Sequence, residues 1–199
     1  KNILENDLGF ELAASKTTKL TQNDFFEYRM EDGFAGAFKF TRSDGVSARL
    51  AHEPKFTKKG QSIRSYLVNQ EPDIVLEVTL PRSTHSAEEK KFIWVFDAKY
   101  RIKTNKNRFD ENLTEDLLKT DYVPDDAINQ MHRYRDALIQ LSSDKRSKSR
   151  PVFGAFALYP GFFDQENEAN PYASSIEEIS IGAFALLPTQ VGGAIKGQK

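Results

Sequence analysis

Phe92-Ile-Trp-Val-Phe-Asp-Ala-Lys-Tyr100 is an apolar run broken by one acid and one base, and the reading of those two charges decides the fold. Aromatic and β-branched residues in so short a stretch predict a strand buried on both faces. Side chains alternate along a strand, so Asp97 and Lys99 point the same way, about 7 Å apart at the backbone. Burying a carboxylate and an ammonium is costly unless each finds a partner or a metal. Upstream, Gln70-Glu-Pro-Asp73-Ile-Val-Leu-Glu-Val-Thr-Leu80 is a second apolar strand with an acid at its entrance. The two dozen residues from Asp73 to Asp97 suit neighbouring strands joined by a hairpin, which brings three charged groups to one spot.

Around this pair the chain reads as a mixed α/β domain. Lys1–Leu8 has Ile3, Leu4 and Leu8 at helical spacing before Gly9, the pattern of a helix end whose beginning is cut off. Thr21–Met30 fits a short helix or an irregular segment. Phe34–Thr41, Gly45–His52 and Ser62–Asn69 have strand composition, with turns such as Ser43-Asp44-Gly45 between them. The core strands Asp73–Leu80 and Lys91–Arg101 follow, then a polar loop over 102–124 with a short helix around Leu113–Leu118. Pro124 before Asp125 and Asp126 opens a helix predicted over Asp125–Leu141, with Met131, Tyr134, Leu138 and Leu141 at three- and four-residue intervals. Ser142–Arg150 is a basic loop, Pro151–Tyr159 a buried strand and Ile176–Leu187 a last strand-like run. No repeat or linker divides the chain: residues 1–191 form one domain and 192–199 a frayed tail.

Bulk properties bound the function. Hydrophobic residues make up 39% and charged residues 29% of the 199, a globular balance rather than a disordered one. No apolar stretch approaches the ~20 residues that cross a bilayer. The absence of cysteine excludes disulfides and thiolate metal sites and is compatible with a cytoplasmic location. A first residue of lysine points to a fragment of a longer protein. Net charge is −1, but cations gather at 55–64, 101–108 and 145–150 and acids at 110–126 and 164–178, and local patches suffice to grip phosphate. His52, His85 and His132 have no metal-ligand spacing, and no GxGxxG or GxxxxGK[ST] marks a nucleotide site.

Pro72-Asp73 followed by Asp97-Ala98-Lys99 resembles the signature of the PD-(D/E)xK nuclease superfamily. The order of elements matches its restriction-endonuclease-like α-β-β-β-α-β core, a mixed central sheet flanked by helices. Pro72-Asp-Ile-Val-Leu, Phe96-Asp-Ala-Lys-Tyr-Arg101, Asp126-Ala-Ile-Asn-Gln-Met-His-Arg-Tyr-Arg-Asp-Ala137 and Ala155-Phe-Ala-Leu-Tyr-Pro-Gly161 narrow the resemblance to McrC-like and uncharacterised prokaryotic restriction-type proteins, over about residues 62–187. It implies a Mg²⁺-dependent DNA endonuclease of a restriction or defence system, with Mn²⁺ as a substitute metal. It also implies a partner, either a McrB-like NTPase subunit or an N-terminal region of the same protein. Alternatives are a repair or junction nuclease of the same fold, or a catalytically silent nucleic-acid-binding or scaffolding module.

Residue roles follow. Asp73 and Asp97 are the smallest carboxylate set for a hard cation, and the resemblance adds the backbone carbonyl of Ala98. Lys99 would orient the attacking water or balance charge on the phosphate. Glu77, four residues beyond Asp73 on the same strand face, reads either as a further ligand or as a solvent-facing acid. Gln130 and Tyr134, one helical turn apart, resemble the Gln-x-x-x-Tyr pair of RecB-like branches. Gln130 is placed at the catalytic centre and Tyr134 on DNA. Arg101, Lys103, Lys106 and Arg108, directly after the catalytic strand, are placed on the DNA backbone. The further acid that the superfamily carries on its first helix is not assigned.

Overall fold

The computed structural model describes residues 2–13, 21–22, 28–29, 32–59, 62–82, 89–103, 120–142, 147–161 and 169–186. The Leu113–Leu118 helix, His85, Lys106, Arg108 and the tail from 192 lie outside them. A π-helical turn, Ile3–Asp7, is followed by β1 (Glu11–Leu12), β2 (Thr21–Gln22), β3 (Tyr28–Arg29), β4 (Gly33–Thr41), β5 (Ser47–His52), β6 (Ile63–Ser65), β7 (Ile74–Leu80) and β8 (Lys90–Ala98). Then come α1 (Asp125–Ala137), β9 (Leu138–Leu141), β10 (Lys148–Ser149), β11 (Val152–Tyr159), α2 (Ala173–Ile179) and β12 (Ile181–Ala185).

Seven strands form the central sheet in the order β1-β4-β5-β7-β8-β11-β12. The first five pair antiparallel, whereas β8–β11 and β11–β12 are parallel. Parallel neighbours need a crossover, and α1 and α2 lie in the two crossovers. The result is the mixed, helix-flanked sheet expected of a restriction-endonuclease-like core. Alternation divides the sheet into two faces. One carries Val75, Ile93, Val95, Ala155, Ala157, Ile181 and Ala183, which pack with Ala127, Met131 and Tyr134 of α1 in a single buried cluster. The alanines of β11 and β12 leave room for the helix to approach. The opposite face buries Phe40 and Ala48 with Leu4, Phe10 and Val46, and continues across β8, β11 and β12 in the aromatic contacts Phe96–Phe156 and Phe156–Phe184.

Three expected boundaries move. The helix predicted to Leu141 stops at Ala137, and Leu138 is already extended, with φ −88° and ψ 124°. Leu138–Gln140 pair instead with Ile63–Ser65, and Gln140–Leu141 with Lys148–Ser149. Leu138 is fully buried in this arrangement, so the apolar spacing that suggested one more helical turn is met by a strand, and tertiary pairing overrides local preference. In Ile176–Leu187 the first four residues are helical. The chain leaves α2 through Ser180 in the left-handed region, φ 53°, before β12 begins. Of Ser62–Asn69 only Ile63–Ser65 is strand, while Tyr66, Leu67 and Val68 project into solvent.

Glu77 is neither exposed nor a ligand candidate of the Asp73/Asp97 pair. It lies about 13 Å along the strand from Asp73, at about 3.3 Å per residue, and its side chain is 4% exposed. Arg49, directly opposite on β5, donates to its Oε1 from Nε at 3.1 Å and Nη2 at 2.7 Å. Lys91 stands 3.6 Å away. Arg49→Met should therefore cost about 3 kcal/mol by leaving a carboxylate buried without its main partner. The double variant Arg49→Met/Glu77→Met should recover most of that. Urea denaturation checks both, and a loss under about 0.5 kcal/mol in the single variant would show the pair to be dispensable.

Candidate active site

β7 and β8 run antiparallel with Ile74 opposite Phe96, so one step further Asp73 stands opposite Asp97. Opposed residues share a face, and this face is the one α1 covers. Asp97 is 3% exposed, at the end of the buried series Ile93, Val95, Asp97. A carboxylate so placed needs donors, and two reach it. Tyr134 of α1 donates its hydroxyl proton to Oδ1 at 2.7 Å, and Lys99 donates from Nζ to Oδ2. Gln130, one turn earlier on α1, donates from Nε2 to the Tyr134 oxygen at 2.7 Å. Gln130, Tyr134 and Asp97 thus form a chain of donors ending on the carboxylate. The Tyr134 pKa is raised well above its ordinary 10.0, first by burial and then by the hydrogen bond to Asp97 and the charges of Asp97 and Asp73. The hydroxyl consequently keeps its proton and remains a donor.

Asp73 is held by the backbone. The Ala98 N–H donates to its Oδ2 at 2.5 Å, and its own carbonyl accepts from the Glu53 N–H at 2.8 Å. The Lys99 N–H donates to the Leu158 carbonyl at 2.7 Å, on the β11 side of the strand. Peptides here are trans, so the Ala98 carbonyl, in the same peptide plane, points the other way, towards β7 and Asp73. Two carboxylates and one carbonyl therefore face a common spot, with the Lys99 ammonium on its rim. The carboxylates and the carbonyl are hard oxygen donors, the chemistry that suits Mg²⁺, Mn²⁺ or Ca²⁺.

Of the sequence-predicted residues, Asp73, Asp97, Ala98, Lys99, Gln130 and Tyr134 come together. Tyr134, expected on DNA, is 2% exposed and spends its hydroxyl on Asp97; it orients a carboxylate rather than a ligand. Arg101 and Lys103 bond the first turn of α1, Arg101 to Asp126 at 2.6 Å and Lys103 to Asp125 at 2.8 Å. Both are thereby neutralised locally. A group the sequence did not reveal is Asp32, His52 and Glu53, which place one ligand atom each within 4.8 Å of one another. His52 pairs with Ile74, one residue out of step with Asp73, so its side chain belongs to the opposite face. Only the β4–β5 register, Gly33 opposite His52, brings Asp32 there, which no local spacing announces.

A family model described as the PD-(D/E)XK nuclease superfamily matches residues 1–164. The chain belongs to that superfamily. No curated protein and no solved structure matches it.

The Tyr134 bond predicts an alkaline signature. A tyrosine whose pKa is higher folded than unfolded contributes stability that is whole below pH 10.0 and is lost as pH rises through the native value. Tyr159 and Tyr172, also raised chiefly by burial, act in the same direction. Urea midpoints of the wild type should fall between about pH 9 and about pH 11, and those of Tyr134→Phe should fall less steeply. Parallel slopes would mean that Tyr134 does not hold its proton as described.

Proposed function

We propose that this nuclease-superfamily chain is a divalent-metal-dependent DNA endonuclease domain of a restriction or defence system. The observation that carries the reading is Asp73 opposite Asp97, with the Ala98 carbonyl turned towards both and Lys99 on the Asp97 carboxylate. The donor set fits a hard cation: Asp73, Asp97 and the Ala98 carbonyl would hold it, and Mg²⁺ is the natural occupant, with Mn²⁺ in its place. Such an ion, when bound, polarises the phosphate and lowers the pKa of a coordinated water.

The chain's own groups do the rest. Tyr134, supported by Gln130, fixes the Asp97 Oδ1 lone pair and so the direction of Oδ2. The Ala98 N–H fixes Asp73 Oδ2 and leaves Oδ1 to turn towards the shared spot. Lys99, with a 19%-exposed side chain, sits at the mouth, where its ammonium can leave Asp97 for a phosphate oxygen or an attacking water. Charge brought close to a developing oxyanion is worth most where water is excluded. DNA is the proposed substrate, and a McrB-like NTPase subunit or a further region of the protein its proposed partner.

Asp97→Ala should abolish plasmid cleavage in Mg²⁺, and Lys99→Ala should slow it about 100-fold or more with the fold intact by circular dichroism. Wild-type cleavage should stop in EDTA. Independently of turnover, Mn²⁺ should raise the wild-type melting temperature and leave that of Asp97→Ala unmoved. Cleavage that survives EDTA would overturn the metal mechanism.

A further inference from the structure

Tyr66, Leu67 and Val68 are consecutive and 52%, 91% and 64% exposed. Three adjacent large apolar residues in solvent are unfavourable unless something covers them, and this tip is not loose. Its leading end is β6, paired to β9. Its trailing end, Gln70, exchanges both backbone hydrogen bonds with Phe56, at 2.8 and 3.0 Å. Between them the Val68 carbonyl accepts from the Ser65 hydroxyl and from Gln70 Nε2 at 3.0 Å. The backbone turns inward on itself, and the three side chains are held outward.

The surroundings are cationic. The tip forms one wall of a groove of about 910 Å³ that Arg64, Arg133, Lys148 and Arg150 also line, against a single acid, Asp136. Among the described residues none of these four has a carboxylate partner, unlike Arg101 and Lys103. Among the described residues the buried Arg64 Nε has no hydrogen-bond acceptor. Lys58 adds charge at the tip, its Nζ 4.8 Å from the centre of the Tyr66 ring. Arg133 adjoins Tyr134 on α1, and Leu67 lies six residues before Asp73, at most about 20 Å of chain. On a duplex that spans about six base steps, at about 3.4 Å each.

We propose that the Tyr66–Val68 tip is a wedge that enters duplex DNA a few base pairs from the scissile phosphate, while Arg64, Arg133, Lys148 and Arg150 hold the adjoining backbone. The proposal rests on the nucleic-acid reading above and extends it to a second contact. Apolar side chains pushed between base steps unstack them and bend the duplex, and flanking cations repay the cost through phosphate contacts. A rigid tip suits this use, because little entropy is lost on insertion. A protein partner would be matched by the apolar tip but not by four unpaired cations beside it.

The test uses the whole chain, in Ca²⁺ to hold cleavage back, and duplexes carrying 2-aminopurine at successive positions. Wild-type protein should raise the fluorescence several-fold at one or two adjacent positions. Leu67→Ala, at a side chain too exposed to matter for folding, should return it to the level of free duplex. Arg133→Gln should weaken binding and lower the log–log salt slope by about one. No fluorescence change at any position, an unchanged signal in Leu67→Ala, or absence of duplex binding would each overturn the wedge. So would an oligomer that Leu67→Asp converts to monomer, since the tip would then be a protein interface. Mg²⁺ cleavage by the same preparations separates the two readings. Cleavage without unstacking removes the wedge alone, and unstacking without cleavage supports the wedge while removing the hydrolytic role.

Discussion

A carboxylate at the buried end of a core strand is the constraint around which this molecule is arranged. Asp97 continues the series Ile93, Val95, and an ionised group so placed would forfeit several kcal/mol of hydration without compensation. The compensation comes from two donors. Lys99 follows it on the same strand and Tyr134 descends from the helix packed on that face; Asp73, which stands opposite and is tied to the strand by the Ala98 N–H, adds a like charge instead. The Tyr134 bond therefore ties α1 to β8 in addition to the apolar contacts between them. The need for Tyr134 at this spot also sets the rotation of α1, and with it which face of the helix, Ala127, Met131 and Tyr134, meets the alanines of β11 and β12.

The parts of this arrangement that local chemistry determines were readable in the sequence. An apolar strand with an acid and a base two apart, and a second with an acid at its mouth, already imply adjacency, because neither charge can be buried alone. The Gln130/Tyr134 spacing implies a shared helix face. What escaped was settled by distant pairing. Leu138 has the right spacing to continue α1 but is taken by β6. Glu77 is on the predicted face, yet Arg49 reaches it across a register that only the folded sheet defines. Ile176 and Ile179 belong to a helix, although their β-branched character suggested strand. The Tyr66–Val68 run has strand composition and is a solvent-facing tip, because Ser65 and Gln70 turn the backbone there.

Charge shows the same division between count and placement. A net charge of −1 says little about a polyanion when the cations differ in what they face. Arg42 is held by Asp44, Lys55 by Glu71, Arg49 by Glu77, Arg101 by Asp126 and Lys103 by Asp125. A paired cation has little field left beyond the Debye length of about 8 Å. Among the described residues the cations beside the Tyr66–Val68 tip keep theirs, so attraction for an anion is stronger there than at Arg101 and Lys103.

Arg101 and Lys103 then have a different part in the site. Exposed ion pairs of this kind contribute about 0–1 kcal/mol each, too little to matter for global stability. Their position matters more than their energy. Lys99 is followed by Tyr100, which is 91% exposed, so the chain leaves the sheet just where the ammonium must stay on the rim. Two pairs to the first turn of α1, together with the Lys103–Tyr122 backbone bridge, fasten that exit to the helix that carries Gln130 and Tyr134. The acids at the start of α1 are favoured there by the helix dipole regardless of any partner, so they form a fixed anchor. Lys99 is thereby fixed on one side by the β8–β11 ladder and on the other by this anchor. In the proposed mechanism its ammonium moves between Asp97 and a phosphate while its backbone stays in place.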